Sequence, residues 1–212
     1  MSGFIERLGL TRIRSNTTLQ SEYDRAAHSW QNGIEHLGFD AAYQDLIRAA
    51  SPLTATTALD VGCGSGAFAE ALQTVAGPTD NLTLLDISPR MLAIAQQRLP
   101  HAQSHQGGIG DAGWDSKQFD IVLCAHVIEH LPEPERALVW LKDRLSPGGT
   151  LVLSVSRPHW CTSLVRWRWG HASYKPIEVL DMLRRVGFDQ PKHQHFKSGP
   201  PSRVSCGYIA TR

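Results

Sequence analysis

Apolar residues between positions 21 and 50 recur at helical spacing, with Tyr23, Ala26, Ala27, Trp30, Ile34 and Leu37 on one face. A break at Gly38 precedes a second helix predicted over Ala41–Ala50, which Ser51-Pro52 closes. From there, short apolar or alternating runs trade places with helical patterns. Strands are predicted over Thr57–Val61, Leu82–Ile87, His101–Gln106, Phe119–Cys124 and Thr150–Val155. Helices are predicted over Ala67–Ala76, Pro89–Leu99 and Glu133–Leu145, the middle one opened by a proline suited to a first turn. Ser146-Pro147-Gly148-Gly149 reads as a turn before the fifth strand. This alternation predicts an α/β fold with a Rossmann-like, doubly wound sheet that is mostly parallel and has helices on both faces.

The pattern changes after Val155. Residues 157–175 are rich in Arg, His and Trp, and read as a loop or short helices before a helix over Pro176–Val186 that Gly187 ends. Residues 191–197 and 203–211 read as two strands joined through Ser198-Gly199-Pro200-Pro201, giving the sheet a C-terminal antiparallel hairpin strand. The 212 residues fit a single domain, since domains run about 100 to 200 residues. Its expected parts are a helical cover over 1–50, a cofactor-binding core over 55–155, a substrate lid over 156–175, and a C-terminal helix with two strands over 176–212.

Composition narrows the setting. With 42% hydrophobic and 19% charged residues and no long charge-free apolar stretch, a soluble protein without membrane insertion is expected. Glu6, Arg7 and Arg12 interrupt the first residues, where a secretory leader would need an apolar core, so the cytoplasm is expected. Cys63, Cys124, Cys161 and Cys206 show no Cys-x-x-Cys spacing; reduced thiols and no metal are the expectation. Net charge is +1, but residues 1–156 carry 11 Lys/Arg against 17 Asp/Glu, and residues 157–212 carry 10 against 3. Such a basic end can draw an anionic substrate to one face, or form a solvated edge.

The candidate chemistry begins at residues 58–66, Ala-Leu-Asp-Val-Gly-Cys-Gly-Ser-Gly. An acidic residue and three alternating glycines behind an apolar run seat a nucleotide-like cofactor where a strand turns into a helix. Gly62, Gly64 and Ala67 also satisfy the dinucleotide fingerprint, with Asp86 near the usual offset, so this segment alone fits two cofactor classes. Asp86 ends an apolar strand, where a carboxylate can accept ribose hydroxyls; Ser88 is better placed to cap the following helix.

Asp60-x-Gly62-x-Gly64-x-Gly66, Asp86-Ile87, Gly110-Asp111-Ala112, Phe119-Asp120, Glu129-His130-Leu131 and Leu145-Ser146-Pro147-Gly148-Gly149 stand in the order and spacing of class I S-adenosylmethionine-dependent methyltransferases. The chain resembles that family, and within it the methyltransferase type 11 and ubiquinone-biosynthesis-like group, most strongly over residues 55–155. The resemblance implies S-adenosyl-L-methionine as cofactor. It implies that Asp60, Gly62, Gly64 and Gly66 face its methionine part, Asp86 the ribose, Ile87 the adenine ring, and Asp111 and the Ala112 backbone the adenine edge, with His126 also in the cofactor site.

His126-Val127-Ile128-Glu129-His130 also reads as H-x-x-E-H, a zinc-protease pattern when it lies on a helix. Similar O-methyltransferases carry Glu-x-x-Glu-His here to hold a divalent cation; His126 replaces the first Glu, and imidazole is a poor magnesium ligand. His130 is the candidate general base. Tyr23, Trp30, His159, Arg166, Arg168 and Tyr174 are candidate substrate contacts, the basic and aromatic lid either stacking on a planar or anionic acceptor or simply covering the sheet. The leading expectation is methyl transfer to a small molecule. An RNA or protein acceptor, a nicotinamide-dependent oxidoreductase and a catalytically silent cofactor binder are the alternatives. No DNA partner is expected, because Cys124-Ala125-His126-Val127 replaces the Pro-Pro-Tyr type of segment of amino-methylating DNA enzymes.

Overall fold

The structure, a computed structural model, describes residues 37–50, 57–79, 81–111, 113–114, 117–159 and 172–212. Seven strands form one sheet: β1 (Thr57–Val61), β2 (Asn81–Asp86), β3 (Gln103–Gln106), β4 (Phe119–Ala125), β5 (Leu145–Ser156), β6 (Asp189–Gln194) and β7 (Ser205–Thr211). Their order is β3-β2-β1-β4-β5-β7-β6, parallel from β3 to β5, with β7 antiparallel to both β5 and β6. Six helices accompany them among the described residues: α1 (Phe39–Ala50), α2 (Ala67–Ala76), α3 (Pro89–Arg98), α4 (Pro134–Asp143), α5 (Pro176–Arg185) and a short α6 (Pro201–Val204).

The central strands are apolar on both faces because helices cover both. Alternate residues divide accordingly. Ala58, Leu82, Leu84, Ile121 and Leu123 join Leu46, Ile47, Phe68 and Leu72 in one core, under α1 and α2. Leu59, Leu85, Val122 and Cys124 join Leu138, Leu141, Val179 and Leu183 in the other, under α4 and α5. The polar edge strand β3 is largely exposed, whereas β6, the opposite edge, carries Pro191, a residue that edges tolerate. Gln190, at φ 42°, shifts the β6 register between Asp189 and Lys192.

Several boundaries depart from the sequence pattern: β6 covers Asp189–Gln194 rather than 191–197, and β3 starts at Gln103 rather than His101. Leu145 ends no helix: it opens β5 and pairs with Phe119, while Ile121 pairs with Thr150, so residues 146–149 bulge from one continuous strand. The Gly148 and Gly149 backbones are bound there by Arg212, at 3.1 and 3.0 Å, which keeps the bend within the sheet. The final strand starts at Ser205 rather than at residue 203, because α6 takes up Pro201–Val204. No helix among the described residues is long and apolar enough to cross a membrane.

Candidate active site

At the carboxyl end of β1 the chain turns through Gly62, whose N–H, with that of Cys63, donates to the Leu85 carbonyl at 2.7 and 3.1 Å. The loop is thereby fastened to the end of β2. Gly62 adopts φ +66°, and a Cβ there would stand 2.3 Å from Val127 Cγ2, so the close approach of the β4 loop demands glycine. At Gly64 a Cβ would meet no protein atom within 4 Å, which leaves space beside the loop for a ligand. Gly66 caps α2 without a side chain.

Asp60 lies beneath this loop, 1% exposed. Its Oδ2 accepts from the Ala69 N–H of α2 at 3.2 Å, while Oδ1 is buried without a hydrogen-bond partner. Burial pushes its carboxyl up to about 7; the Ala69 bond opposes this and the nearby Asp86 charge adds to it. Asp86 sits at the end of β2, accepting from Gly64 N–H at 2.9 Å and from Ser88 N–H at 2.8 Å. Ser88 itself caps α3 by accepting from Met91 N–H. The Asp86 carboxylate thus shapes the glycine loop as well as facing the cleft.

The cleft, about 1100 Å³ with its mouth included, is lined by these residues together with Ile87, Gly107, Gly108, Ile109, His126 and His130. Tyr43 of α1 and Phe68 of α2 also wall it, their rings 4.6 Å apart. Tyr43 is an aromatic contribution from the N-terminal side that the sequence pattern shows only as part of an amphipathic helix. Its hydroxyl is held well above the usual phenol range by burial, with Asp60 and Glu129 adding to the effect. Of the expected cofactor residues that the structure describes, Gly66 and Asp111 do not line the cleft; Gly66 packs against Ala95 of α3 instead. Asp111 stands apart on the surface. It is exposed and absent from the cleft wall, and its Oδ2 accepts from Gly108 N–H at 2.7 Å, closing its own turn.

On the opposite wall, the H-x-x-E-H segment is not a continuous helix. His126 follows the end of β4 with φ 57°, and only Ile128–His130 form a single 3₁₀ turn, so the protease geometry is ruled out. Glu129 is the buried centre of this wall. Its Oε1 accepts from Ser156 N–H at 2.8 Å and lies 3.1 Å from His126 Nδ1. Burial alone would raise this carboxyl, but the His126 ring, His130 and the Ser156 N–H together hold it near 2. An ionised Glu129 only accepts, so Nδ1 carries the proton, and His126 Nε2 meets Ser154 Oγ at 3.3 Å. Both ring nitrogens are therefore engaged, and His126 is a fixed wall, edge-on to Phe39 at 5.4 Å. His130 lines the cleft half-buried.

His159 and Tyr174 do not line the cleft; the Tyr174 N–H donates to Ser156 O at 3.0 Å. Tyr23, Trp30, Ala112, Arg166 and Arg168 lie outside the described residues.

A strand, a glycine turn, two carboxylates at adjacent strand ends and a walled cleft beside them is the arrangement shared by nucleotide-cofactor α/β proteins. The family described as a methyltransferase domain matches residues 59–153, which hold the glycine turn, both carboxylates and the His126–Leu131 wall. Residues 59–153 are a methyltransferase domain. The ubiquinone biosynthesis O-methyltransferase of Thiobacillus denitrificans is 25% identical over 183 residues, 73% of this chain and 73% of its own length. That of Haemophilus ducreyi is 30% identical over 148 residues, 63% of this chain and 61% of its own. The chain spans only 29% of a Synechococcus protein with which it shares 32% identity over 123 residues. Among solved structures, magnesium protoporphyrin IX methyltransferase from Synechocystis PCC 6803 shares the fold at a TM-score of 0.73 and 16% identity, covering 93% of this chain and 100% of its own. N-methyltransferase NodS from Bradyrhizobium japonicum WM9 does so at 0.65 and 22%, covering 80% and 85%. The donor used by such methyltransferases is S-adenosylmethionine, and the cleft fits it: an unpartnered buried carboxylate oxygen, a glycine loop open to a ligand and a second carboxylate one strand over.

Proposed function

We propose that this methyltransferase moves a methyl group from S-adenosylmethionine to a small-molecule acceptor held against the His126–Leu131 wall. The observation that carries the reading is the unpartnered, buried Asp60 Oδ1 at the cleft wall, a pairing site for the cofactor's ammonium group. Asp86 would accept from the ribose hydroxyls, and Ile87 and Ile109 would flank the adenine above Gly107 and Gly108. Asp111 would act behind them by fixing Gly108.

The bound sulfonium supplies an electrophilic methyl group, so most of what the protein must provide is alignment and a dry site. The Tyr43, Phe68, Val127 and Leu131 side chains exclude water, and the Glu129–His126–Ser156 cluster keeps the acceptor wall rigid. His130, which lines the cleft, would take a proton from an acceptor hydroxyl or ammonium. Arg166 and Arg168, from the basic and aromatic stretch of the sequence, would meet an anionic group of the acceptor. Ubiquinone biosynthesis O-methyltransferases among the relatives support a small acceptor, and the buried free thiols Cys63, Cys124 and Cys206 support a cytoplasmic setting.

The test is incubation of the full chain with methyl-labelled donor and separated small-molecule, RNA and protein fractions of a cell extract. Label is expected in the small-molecule fraction; label confined to RNA or protein would refute the acceptor class, and none in any fraction would favour a silent binder.

Asp60 gives the reading a pH signature. Its carboxyl titrates near 7 in the fold, above its ordinary 3.8, so the cofactor's ammonium must displace a proton from it below that pH. Binding of S-adenosylhomocysteine should tighten as pH rises from about 6 to about 8 with release of a proton, measured by calorimetry in buffers of different ionisation enthalpy. Asp60→Asn should flatten that dependence; an unchanged profile would remove Asp60 from the ammonium site.

A further inference from the structure

Away from the cleft, β6 and β7 bring together three groups that sequence spacing keeps apart. His193 pairs with Tyr208 and Gln194 with Gly207, where β6 ends, and continuing that register by one residue sets His195 on the Cys206 side. Alternate residues of a strand share a face, which puts His193, His195 and Cys206 on the same side of the sheet. Their ligand atoms all lie within 4.8 Å of one another. The two imidazole rings stand 4.1 Å apart. His193 Nε2 is buried with no hydrogen-bond partner, Cys206 is a fully buried free thiol, and His195 is exposed. One ligand is thus desolvated and unsatisfied, one is soft and sheltered, and one is open to the solvent from which an ion would arrive.

We propose that His193, His195 and Cys206 form a binding site for a borderline-soft divalent cation, of which zinc is the type. Thiolate and imidazole donors select such an ion over magnesium or calcium. Tetrahedral bonds of the usual zinc lengths place ligand atoms about 3.4 to 3.6 Å apart, so modest side-chain rotations close the site, leaving a fourth position for water or another ligand.

Arg157 is the competitor. Its guanidinium neighbours the Cys206 sulfur. A cation entering the cluster takes over that role as positive partner, and the guanidinium must move aside. The cluster lies at the sheet end where the cofactor cleft opens, since Cys206 pairs with Val155 and Ser205 with Ser156, the residue that binds Glu129.

The experiment uses the untagged full chain, stripped with a chelator, titrated with zinc against a chromophoric chelator and with cobalt under anaerobic conditions. One equivalent of zinc should bind, and cobalt should give a thiolate-to-metal charge-transfer band. Cys206→Ser should abolish the band, and the exposed His195→Ala, which leaves the buried core intact, should weaken zinc by more than the roughly 10- to 100-fold that loss of an outer-shell partner costs. Arg157→Gln should tighten zinc by removing the competing charge. No stoichiometric zinc, or zinc affinity and a cobalt spectrum unchanged in His195→Ala and Cys206→Ser, would overturn the proposal.

Discussion

Gly62→Ala should lower stability by about 2 to 5 kcal/mol and, with it, abolish cofactor binding. The left-handed backbone at Gly62 costs an alanine roughly 1 to 2 kcal/mol. Overlap of the new Cβ with Val127, a side chain stiff at χ1, adds roughly 1 to 3 kcal/mol. For a chain of this size that is a melting-temperature fall on the order of 5 to 20 °C, read by calorimetry. Gly64→Ala is the control, because its Cβ meets no protein atom. It should cost only the backbone term of about 1 to 2 kcal/mol yet still lose affinity for S-adenosylhomocysteine. Equal affinity in Gly64→Ala and the parent would place the cofactor elsewhere.

Glu129→Ala should cost about 2 to 4 kcal/mol, because it strips the acceptor from the buried Ser156 N–H and from His126 Nδ1. The effect has a definite pH sign. Glu129 titrates near 2 in the fold against an ordinary 4.5, so its contribution is fully present above about 4.5 and is lost as pH falls towards 2. Glu129→Gln keeps an oxygen for Ser156 but no charge, and its melting temperature should lack the part of the acid decline that the parent shows below pH 4.5. A parent and a glutamine variant declining in parallel would mean that Glu129 is not ionised behind the acceptor wall. Turnover should fall in both variants through misplacement of His126 and the loop it begins.

The glycine turn and its two carboxylates were legible in the sequence because local rules place them. A buried strand must be apolar throughout, a helix must be capped, and a turn that a ligand approaches closely must lack Cβ atoms. Those rules locate β1 and α2 to the residue and put Asp86 at a strand end with Ser88 as the cap. Asp111 shows where motif position stops short. The residue stands next to the expected glycine, but the four-residue turn 108–111 lets its carboxylate accept from Gly108 N–H, and Gly107 and Gly108 line the cleft behind it. Tyr43 and Glu129 were hidden for a different reason. A tyrosine on an amphipathic helix and a glutamate between two histidines declare neither depth nor partner until α1 lies over β7, where Leu46 packs so tightly that a Cβ on Gly207 would stand 2.4 Å from it. His193, His195 and Cys206 converge only through the β6–β7 register, which no spacing rule along the chain encodes.

Whether Asp60, Asp86 and the glycine loop bind an adenosyl sulfur cofactor is tested most directly by calorimetric titration of the full chain with S-adenosylhomocysteine, beside NADH. One-to-one saturable binding of S-adenosylhomocysteine alone is predicted, weakened by roughly 1.5 to 3 kcal/mol in Asp86→Ala as a charged acceptor is lost. Binding of NADH in its place, or affinity untouched by Asp86→Ala, would contradict the account.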